Sequence, residues 1–218
     1  KQSGPMIAGA EVAGPGFINV SFSNEFWQQT VAEVLDQGES YGSGRWGEGT
    51  KVQVEYVSAN PTGPLHIGHG RGAAVGDSLT RILRAAGYEA ETEYYLNDAG
   101  RQMNLLGRSI WVRYKQACDR EADLPEDGYK GAYILELAHE LVQEQGDALL
   151  FRGEEEAVAA CRKWGVDRIL GGIKADLETF RVEHQVWFSE QSLVQSGAVS
   201  ATLRELQDAG LAYEQDGA

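Results

Sequence analysis

Hydrophobic positions change from strand-like to helix-like spacing several times along this 218-residue chain. Residues 17–22, FINVSF, predict a short strand, and the helical spacing that follows predicts a helix capped by Asn24. The run 51–57, KVQVEYV, is almost continuously apolar around Glu55. It predicts a strand that is buried on both faces, as in a parallel sheet.

A helix and a second strand follow this first strong strand. The helix is predicted to end at Gly87 and to present one apolar face, formed by Val75, Leu79, Ile82, Leu83 and Ala86. Residues 88–95, YEAETEYY, alternate and predict the second strand. Strand, helix and strand in this order predict a right-handed βαβ unit. Ligands of such units bind at the carboxyl ends of the strands, where the segments SANPTG and LNDAG emerge.

The second half of the chain is predominantly helical by its spacing. Helices are predicted near 99–118, 131–147, 154–181 and 199–209, with only the short apolar patch Val186-Trp187-Phe188 between the last two. Two strong strands are too few for a doubly wound sheet. We therefore expect an α/β fold with a partial parallel sheet, in a chain that is part of a larger protein.

Composition and charge narrow the class of protein. The chain is 42% hydrophobic and 24% charged, which is typical of a globular domain, and its net charge is −14. An acidic surface repels nucleic acid at long range, so any contact with a polynucleotide must be local. The two cysteines, Cys118 and Cys161, form no CxxC pair and favour a reduced, cytoplasmic protein. No apolar run approaches the roughly 20 residues of a membrane span.

The glycine-rich segment 38–50 is predicted to be a linker or a mobile loop. It contains Gly42, Gly44 and Gly47 in the order GxGxxG, which is the pattern of dinucleotide-binding turns. The segment follows a helix and precedes a strand, however, which is the reverse of the order that this fingerprint requires. The sequence therefore predicts no dinucleotide site here.

The segment 58–72, SANPTGPLHIGHGRG, carries the strongest chemical signal. A strand that ends in a Pro/Gly loop and restarts as a helix exposes backbone N–H groups, which bind anions. His66 and His69 add neutral imidazole donors for phosphate, and Gly68 between them lets a nucleotide approach the backbone. Two histidines at this spacing could instead bind a metal or pack in the core. A zinc site needs further ligands, and no other His or Cys pair has the spacing to supply them.

Polar residues near the strand ends are further candidates. Glu55 places a carboxylate in an apolar strand, which is costly unless it is paired or faces a ligand cation such as a guanidinium. An edge position or a structural ion pair would also explain it. Asn60 precedes Pro61 and is either a turn residue or an amide that contacts a ligand. Asn97 and Asp98 follow the second strand, and they either cap the next helix or face the same crevice.

The block VEYVSANPTGPLHIGHGRGAAVGDSLTRILRAAGYEAETEYYLNDAGRQ closely resembles bacterial arginyl-tRNA synthetase, a class I aminoacyl-tRNA synthetase. His66-Ile67-Gly68-His69 matches the HIGH signature of that class, and SANPTGPLHIGH and NDAGRQ are far more specific to the arginine enzyme. GPGFINVSFS resembles the end of the family's N-terminal tRNA-binding domain. WFSEQSLVQSGAV and LAYEQDGA resemble stretches on the way to its second catalytic half.

The resemblance implies a Rossmann-like class I catalytic domain and a division of the chain into three parts. Residues 1–40 would be the end of the N-terminal domain with a linker, and 41–120 the first half of the catalytic domain with the HIGH motif. Residues 121–218 would be a largely helical insertion leading towards the second half. The KMSKS-like lysine loop of the class has no counterpart in this sequence, and Gln185 stands where we expect an Asp in the family.

The resemblance also implies a reaction and its site residues. The carboxylate of arginine would attack the α-phosphate of ATP, with Mg²⁺ on the phosphates and no tightly bound metal, and arginine would then pass to tRNA(Arg). The implied catalytic residues are His66 and His69, and the implied ATP contacts are Pro61, Gly63, His66, Gly68 and His69. The implied arginine contacts are Glu55, Ser58 and Asn60, and the secondary candidates are Asn97, Asp98 and Gln102.

Two other functions stay open on the residues alone. One is another HxGH nucleotidyltransferase, such as a small adenylyltransferase, against which the SAN and NDAGRQ context argues. The other is a non-catalytic, synthetase-derived binding module, which the missing lysine loop would favour. For the arginine enzyme itself, we expect tRNA to be bound mainly by domains outside this chain and the full-length protein to be a monomer.

Overall fold

The computed structural model describes residues 6–213, so the first residues of the expected N-terminal part and most of LAYEQDGA lie outside the described residues. The strands are β1 Ile7–Ala13, β2 Phe17–Phe22, β3 Lys51–Glu55, β4 Glu89–Leu96 and β5 Val186–Ser189. The helices are α1 Asn24–Gln37, α2 Ile67–Ala85, α3 Arg101–Ala117, α4 Ala132–Gln145, α5 Glu154–Thr179, α6 Glu190–Gln195 and α7 Ala198–Asp208. Between residues 6 and 213, no helix is both long and apolar enough to cross a bilayer.

Three strands form a parallel sheet with the order β3-β4-β5. Lys51–Glu55 pairs in register with residues 89–93, and residues 93–96 pair with Val186–Ser189. Strands β3 and β4 with helix α2 between them form the predicted βαβ unit. Strand β5 is the apolar patch noted in the sequence, and with four residues it is too short for its periodicity to identify it as a strand.

The prediction that β3 is buried on both faces is wrong. Lys51, Gln53 and Glu55 are exposed, while the two valines between them are partly buried. Within the described part of the chain, β3 pairs with β4 alone, which places it at the edge of the sheet. Glu55 is therefore an exposed carboxylate on an edge strand, which is one of the explanations that the sequence left open.

The predicted apolar face of α2 also does not face the core. Val75 and Ile82 are 64% and 65% exposed, and Leu79 is exposed as well. The residues of α2 that are buried are small ones: Ala73, Gly76 and Thr80. At Gly76 the ring of Tyr56 lies directly against the helix backbone, where only a small residue fits. Hydrophobicity alone therefore pointed to the wrong side of the helix.

The N-terminal hairpin and α1 precede the sheet. β1 pairs with β2 in an antiparallel hairpin, and the strand predicted at 17–22 is confirmed as β2. Helix α1 is capped by Ser23, whose hydroxyl accepts a hydrogen bond from the backbone N–H of Phe26 at 3.1 Å, and not by Asn24 as predicted. Serine and asparagine are both good caps, and the predicted and observed cap positions differ by one residue.

Three long helices form the main hydrophobic core. Helix α3 contacts both α4 and α5, and it approaches α5 so closely that a Cβ on Gly107 would lie 2.8 Å from the carbonyl oxygen of Val158. This core continues to the sheet through Tyr94 of β4. The buried side chains of the helices include Leu106, Ile110, Tyr114, Ile134, Leu141, Cys161 and Ile173. The helices predicted from spacing in this region are confirmed within a few residues.

We expect the substitution Gly76→Ala to destabilise the fold. A Cβ at Gly76 would lie 2.2 Å from the ring of Tyr56, so the helix must shift away from the sheet. Overpacking of this kind costs about 1–3 kcal/mol of the free energy of unfolding, which urea denaturation measures. Gly72→Ala is the matched control, because its Cβ would meet nothing within 4 Å and should raise stability through helix propensity. Equal effects of the two substitutions would contradict the prediction.

Candidate active site

The candidate site lies where the chain leaves β3 and enters α2. The backbone N–H of Tyr56 still donates to the carbonyl of Glu93 at 3.3 Å, which extends the pairing of β3 with β4. The next two residues, Val57 and Ser58, have φ values of 66° and 41°. Left-handed backbone is rare for any residue with a side chain and is strained for a β-branched one. These two residues therefore turn the chain out of the sheet at an energetic cost.

Hydrogen bonds to β4 hold the chain after this turn. The Oγ of Ser58 accepts the backbone N–H of Tyr95 at 3.1 Å, so the side chain replaces a missing backbone partner. The hydroxyl of Tyr94 bonds to both the N–H and the carbonyl of Ala59, each at 3.0 Å. Ser58 was singled out in the sequence as an arginine contact, whereas Tyr94 was not singled out at all.

Asn60 and Gln102, which are 42 positions apart in the sequence, meet at this site. The Nδ2 of Asn60 donates to the Oε1 of Gln102 at 2.8 Å. The local turn is closed by the backbone, since the N–H of Thr62 donates to the carbonyl of Asn60 at 2.7 Å. The side chain of Asn60 therefore does not form the turn, which leaves its amide directed towards the start of α3. The structure thus brings together the SAN and NDAGRQ segments.

The Pro/Gly part of the loop packs against α4. Pro61 is fully buried, and the hydroxyl of Tyr133 donates to the carbonyl of Thr62 at 2.8 Å. A Cβ at Gly63 would lie 3.2 Å from the ring of the same tyrosine. Tyr133 is a second residue that the sequence analysis missed. A partly buried tyrosine needs a partner for its hydroxyl, but its spacing does not reveal which one.

His66 and His69 form a reciprocal cap at the start of α2. The Nδ1 of His66 accepts the backbone N–H of Gly68 at 3.1 Å, and the Nδ1 of His69 accepts the backbone N–H of His66 at 3.2 Å. The two rings stack with their centroids 3.7 Å apart. This is the arrangement of a capping box, made here by two imidazoles instead of a hydroxyl and a carboxylate.

The cap fixes the tautomer of each neutral ring. Because each Nδ1 accepts a hydrogen bond, the proton of each neutral imidazole resides on Nε2. Partial burial, together with the neighbouring His66, lowers the pKa of His69. Two Nε2–H donors thus stand at the positive end of a 19-residue helix. Such a site suits the oxygen atoms of a phosphate.

Gly68 has a structural reason to lack a side chain. Its Cβ would lie 2.9 Å from the Cε1 of His66, so a larger residue would displace the ring from its capping position. Next to this ring, a cavity of about 290 Å³ extends between α2 and the end of α5, with Phe180 among its lining residues. Larger cavities, of about 580 and 710 Å³, lie at the start of β3 and between α3 and α5.

Three candidate residues remain, namely Asp98, Asn97 and Glu55. Asp98 accepts the hydroxyl of Ser189 at 2.6 Å and the backbone N–H of Gln191 at 2.9 Å, so it caps the start of α6 and not that of α3. Asn97 is partly buried and makes no hydrogen bond within residues 6–213. Glu55 makes no ion pair in the same range. In that part of the chain, no group of three His, Cys, Asp or Glu could hold a metal ion.

We expect the histidine cap to weaken as the pH falls. Since the pKa of His69 is lowered on folding, the cap contributes its full stability above the ordinary imidazole pKa of about 6.5. That contribution is lost as the pH falls through the lowered pKa of the folded state. Nitrogen-15 NMR should show the Nε2–H tautomer for both rings at pH 8 and titration of His69 below about 6.5. A protonated Nδ1 at pH 8 would contradict this description of the cap.

Comparison with known proteins identifies the family. The model of the class I tRNA synthetase (R) catalytic domain matches residues 30–218. The chain is 58% identical over 214 residues to the arginine–tRNA ligase of Solidesulfovibrio magneticus, covering 98% of the chain and 39% of that protein. It is 51% identical over 218 residues to the arginine–tRNA ligase of Lawsonia intracellularis, covering 100% of the chain and 40% of that protein. The chain thus spans about two fifths of the length of these relatives.

Solved structures agree with this match. A Campylobacter jejuni protein assigned as an arginyl-tRNA synthetase superposes with a TM-score of 0.78 at 40% identity, covering 89% of this chain and 42% of that one. The arginyl-tRNA synthetase of Thermus thermophilus, at 23% identity and a TM-score of 0.53 over 93% of this chain and 33% of that one, supports the fold alone. The expected α/β fold class is confirmed. The chain belongs to the class I tRNA synthetases, and its sequence is that of their arginine-type catalytic domain.

Proposed function

We propose that this chain carries the ATP- and arginine-binding part of an arginine–tRNA ligase. The carboxylate of arginine attacks the α-phosphate of ATP, which gives arginyl-adenylate and pyrophosphate, and the arginyl group is then transferred to the 3′ end of tRNA(Arg). The observation that carries the proposal is the pair of capping histidines at the start of α2, in a chain of the arginine-type family. Catalysis of this kind consists mainly of positioning and charge stabilisation.

The ATP phosphates are assigned to the start of α2. The Nε2–H groups of His66 and His69 are the donors, at the positive end of the helix dipole. Pro61 and Gly63 shape the loop beside them, and Gly68 keeps the backbone accessible. Mg²⁺ binds together with ATP as part of the substrate complex, where it neutralises the phosphates. It is not a resident metal of the protein.

Arginine is assigned to the loop between β3 and α2. The exposed carboxylate of Glu55 is the partner for the guanidinium, which it can bind through two parallel hydrogen bonds. The hydroxyl of Ser58 accepts one hydrogen bond and still has its own proton to donate to the substrate carboxylate. Asn60 uses its NH₂ group on Gln102, which leaves its Oδ1 to accept from the substrate ammonium. Asn97 and Asp98 remain secondary candidates on the neighbouring strand end.

The tRNA partner, the cellular compartment and the oligomeric state belong to the same proposal. The net charge of −14 means that residues of this chain contact tRNA only locally, and other parts of the protein provide most of the binding. We assign the full-length enzyme to the cytoplasm, as a monomer. The proposed division into 1–40, 41–120 and 121–218 belongs to the same proposal.

The decisive experiment is arginine-dependent exchange of pyrophosphate into ATP, measured on the complete gene product with and without tRNA. Exchange with arginine supports the ligase. Exchange with a different acid would indicate another HxGH nucleotidyltransferase, and ATP binding without any exchange would indicate a binding module. The family match makes both of these alternatives less favoured than the ligase.

We expect His66→Ala and His69→Ala each to lower kcat of exchange by about 100-fold or more, because each removes a preorganised donor to the phosphates. The substitutions also remove half of the helix cap, so circular dichroism must confirm that the protein is folded. His139→Ala is the matched control, since His139 is exposed on α4 and contributes nothing to the cap. Retention of normal kcat by either capping variant would exclude the assignment of ATP to this turn.

We expect Glu55→Gln to raise the KM for arginine by about 10-fold or more, as is usual when a hydrogen bond to a charged group is lost. The KM for ATP should change little, because the phosphate donors lie on α2. Glu91→Gln, at an exposed position on the neighbouring strand, is the control. If both glutamine variants keep the arginine KM of the unmodified protein, the guanidinium is bound elsewhere.

A further inference from the structure

The loop that carries Ser58 and Asn60 is held by one buried hydroxyl. The Oη of Tyr94 accepts the N–H of Ala59 and donates to the carbonyl of the same residue, both at 3.0 Å. One side chain thus satisfies both backbone groups of a single residue. Opposite residues of antiparallel strands exchange hydrogen bonds with each other in a similar way. Neither the family resemblance nor the spacing of the sequence singled out this residue.

The loop needs this partner because of how it leaves the sheet. After the left-handed turn at Val57 and Ser58, the backbone no longer follows β4 and has no strand neighbour in the described residues. Ala59 is only 8% exposed, so water does not replace the missing partners. A buried backbone N–H or carbonyl without a hydrogen bond is strongly unfavourable. Without the hydroxyl, the loop must therefore change its conformation to pair these groups.

The hydroxyl is itself held rigidly. Tyr94 lies on the central strand with no exposed surface, and its ring stacks on Trp187 of β5 with the centroids 4.4 Å apart. His184 contacts the ring edge-on at 5.3 Å. Burial raises the pKa of Tyr94 to about 12, so the hydroxyl keeps its proton and remains a donor throughout the neutral range. The contact with Ala59 therefore rests on a tightly packed ring and on a hydroxyl that stays protonated.

We propose that Tyr94 is a positioning residue for the amino-acid substrate: its hydroxyl fixes Ala59 and thereby sets the positions of Ser58 and Asn60 on either side. This inference rests on the proposed function. The ATP donors begin seven residues later along the chain and have their own support, because Tyr133 holds Thr62 and the capping pair holds α2. Loss of the Tyr94 hydroxyl therefore affects arginine and ATP unequally.

The test is Tyr94→Phe in the complete gene product, assayed by pyrophosphate exchange. The ring and its stacking remain, and only the hydroxyl is lost. We expect the KM for arginine to rise by about 10-fold, since small displacements of binding groups have large effects, while the KM for ATP stays within about 2-fold. The backbone amide of Ala59 should also exchange with deuterium faster than in the unmodified protein.

Tyr114→Phe is the matched control. Tyr114 also has no exposed surface, and its hydroxyl likewise bonds to two backbone groups, the carbonyl of Gly146 at 2.6 Å and the N–H of Leu149 at 3.3 Å. It lies in the helical core, away from the loop, so this variant should lose stability without any change in either KM. If Tyr94→Phe behaves in the same way as Tyr114→Phe, the hydroxyl is merely structural and the proposal is wrong.

A further variant keeps the test decisive if Tyr94→Phe does not fold. Trp187→Leu removes the ring that stacks on Tyr94 and keeps the hydroxyl, so we expect a smaller rise in the KM for arginine. An unchanged KM in this folded variant would overturn the positioning role. If the unmodified protein itself shows no exchange with arginine, the proposed function fails, whereas a normal protein with an unaffected Tyr94→Phe variant refutes only the role of Tyr94.

Discussion

The chain leaves β3 through two left-handed residues, and the end of β4 holds it in that conformation. Three consecutive residues of β4 each provide one attachment: the carbonyl of Glu93, the hydroxyl of Tyr94 and the backbone N–H of Tyr95. The strain of the turn is retained because these contacts together determine the path of the loop. The loop then reaches α2, where the two histidines cap the helix.

Much of the fold follows from local patterns in the sequence. The alternation of YEAETEYY and the helical spacing after it are properties of neighbouring residues, so β4 and the helices α3 to α5 could be predicted. The burial of individual faces could not be predicted in the same way. Whether Val75 or Gly76 of α2 faces the sheet depends on the ring of Tyr56, which is distant in sequence, and on the position of β3 at the edge.

The same difference between local and tertiary contacts decides which parts of the candidate site could be predicted. The His66–His69 pair could be recognised because both partners lie within one helical turn, and their reciprocal hydrogen bonds are local. The proximity of Asn60 to Gln102 could be expected from the topology of a βαβ unit, which brings strand ends together. The contacts of Tyr94 and Asp98 could not be predicted, because tertiary packing determines the partners of a buried hydroxyl or of a carboxylate. Local sequence gives no sign of Ala59 or Ser189 as those partners.

The two hydrogen bonds of Asp98 have a mechanical consequence. One carboxylate joins the end of the central strand to Ser189 and to the first turn of α6. Helix α6 continues into α7 after a single left-handed glycine, Gly197. The positions of α6 and α7 are therefore tied to the same strand end that holds the loop between β3 and α2. The start of α6 and the loop that carries Ser58 and Asn60 are in this way anchored within a few residues of each other at one strand end.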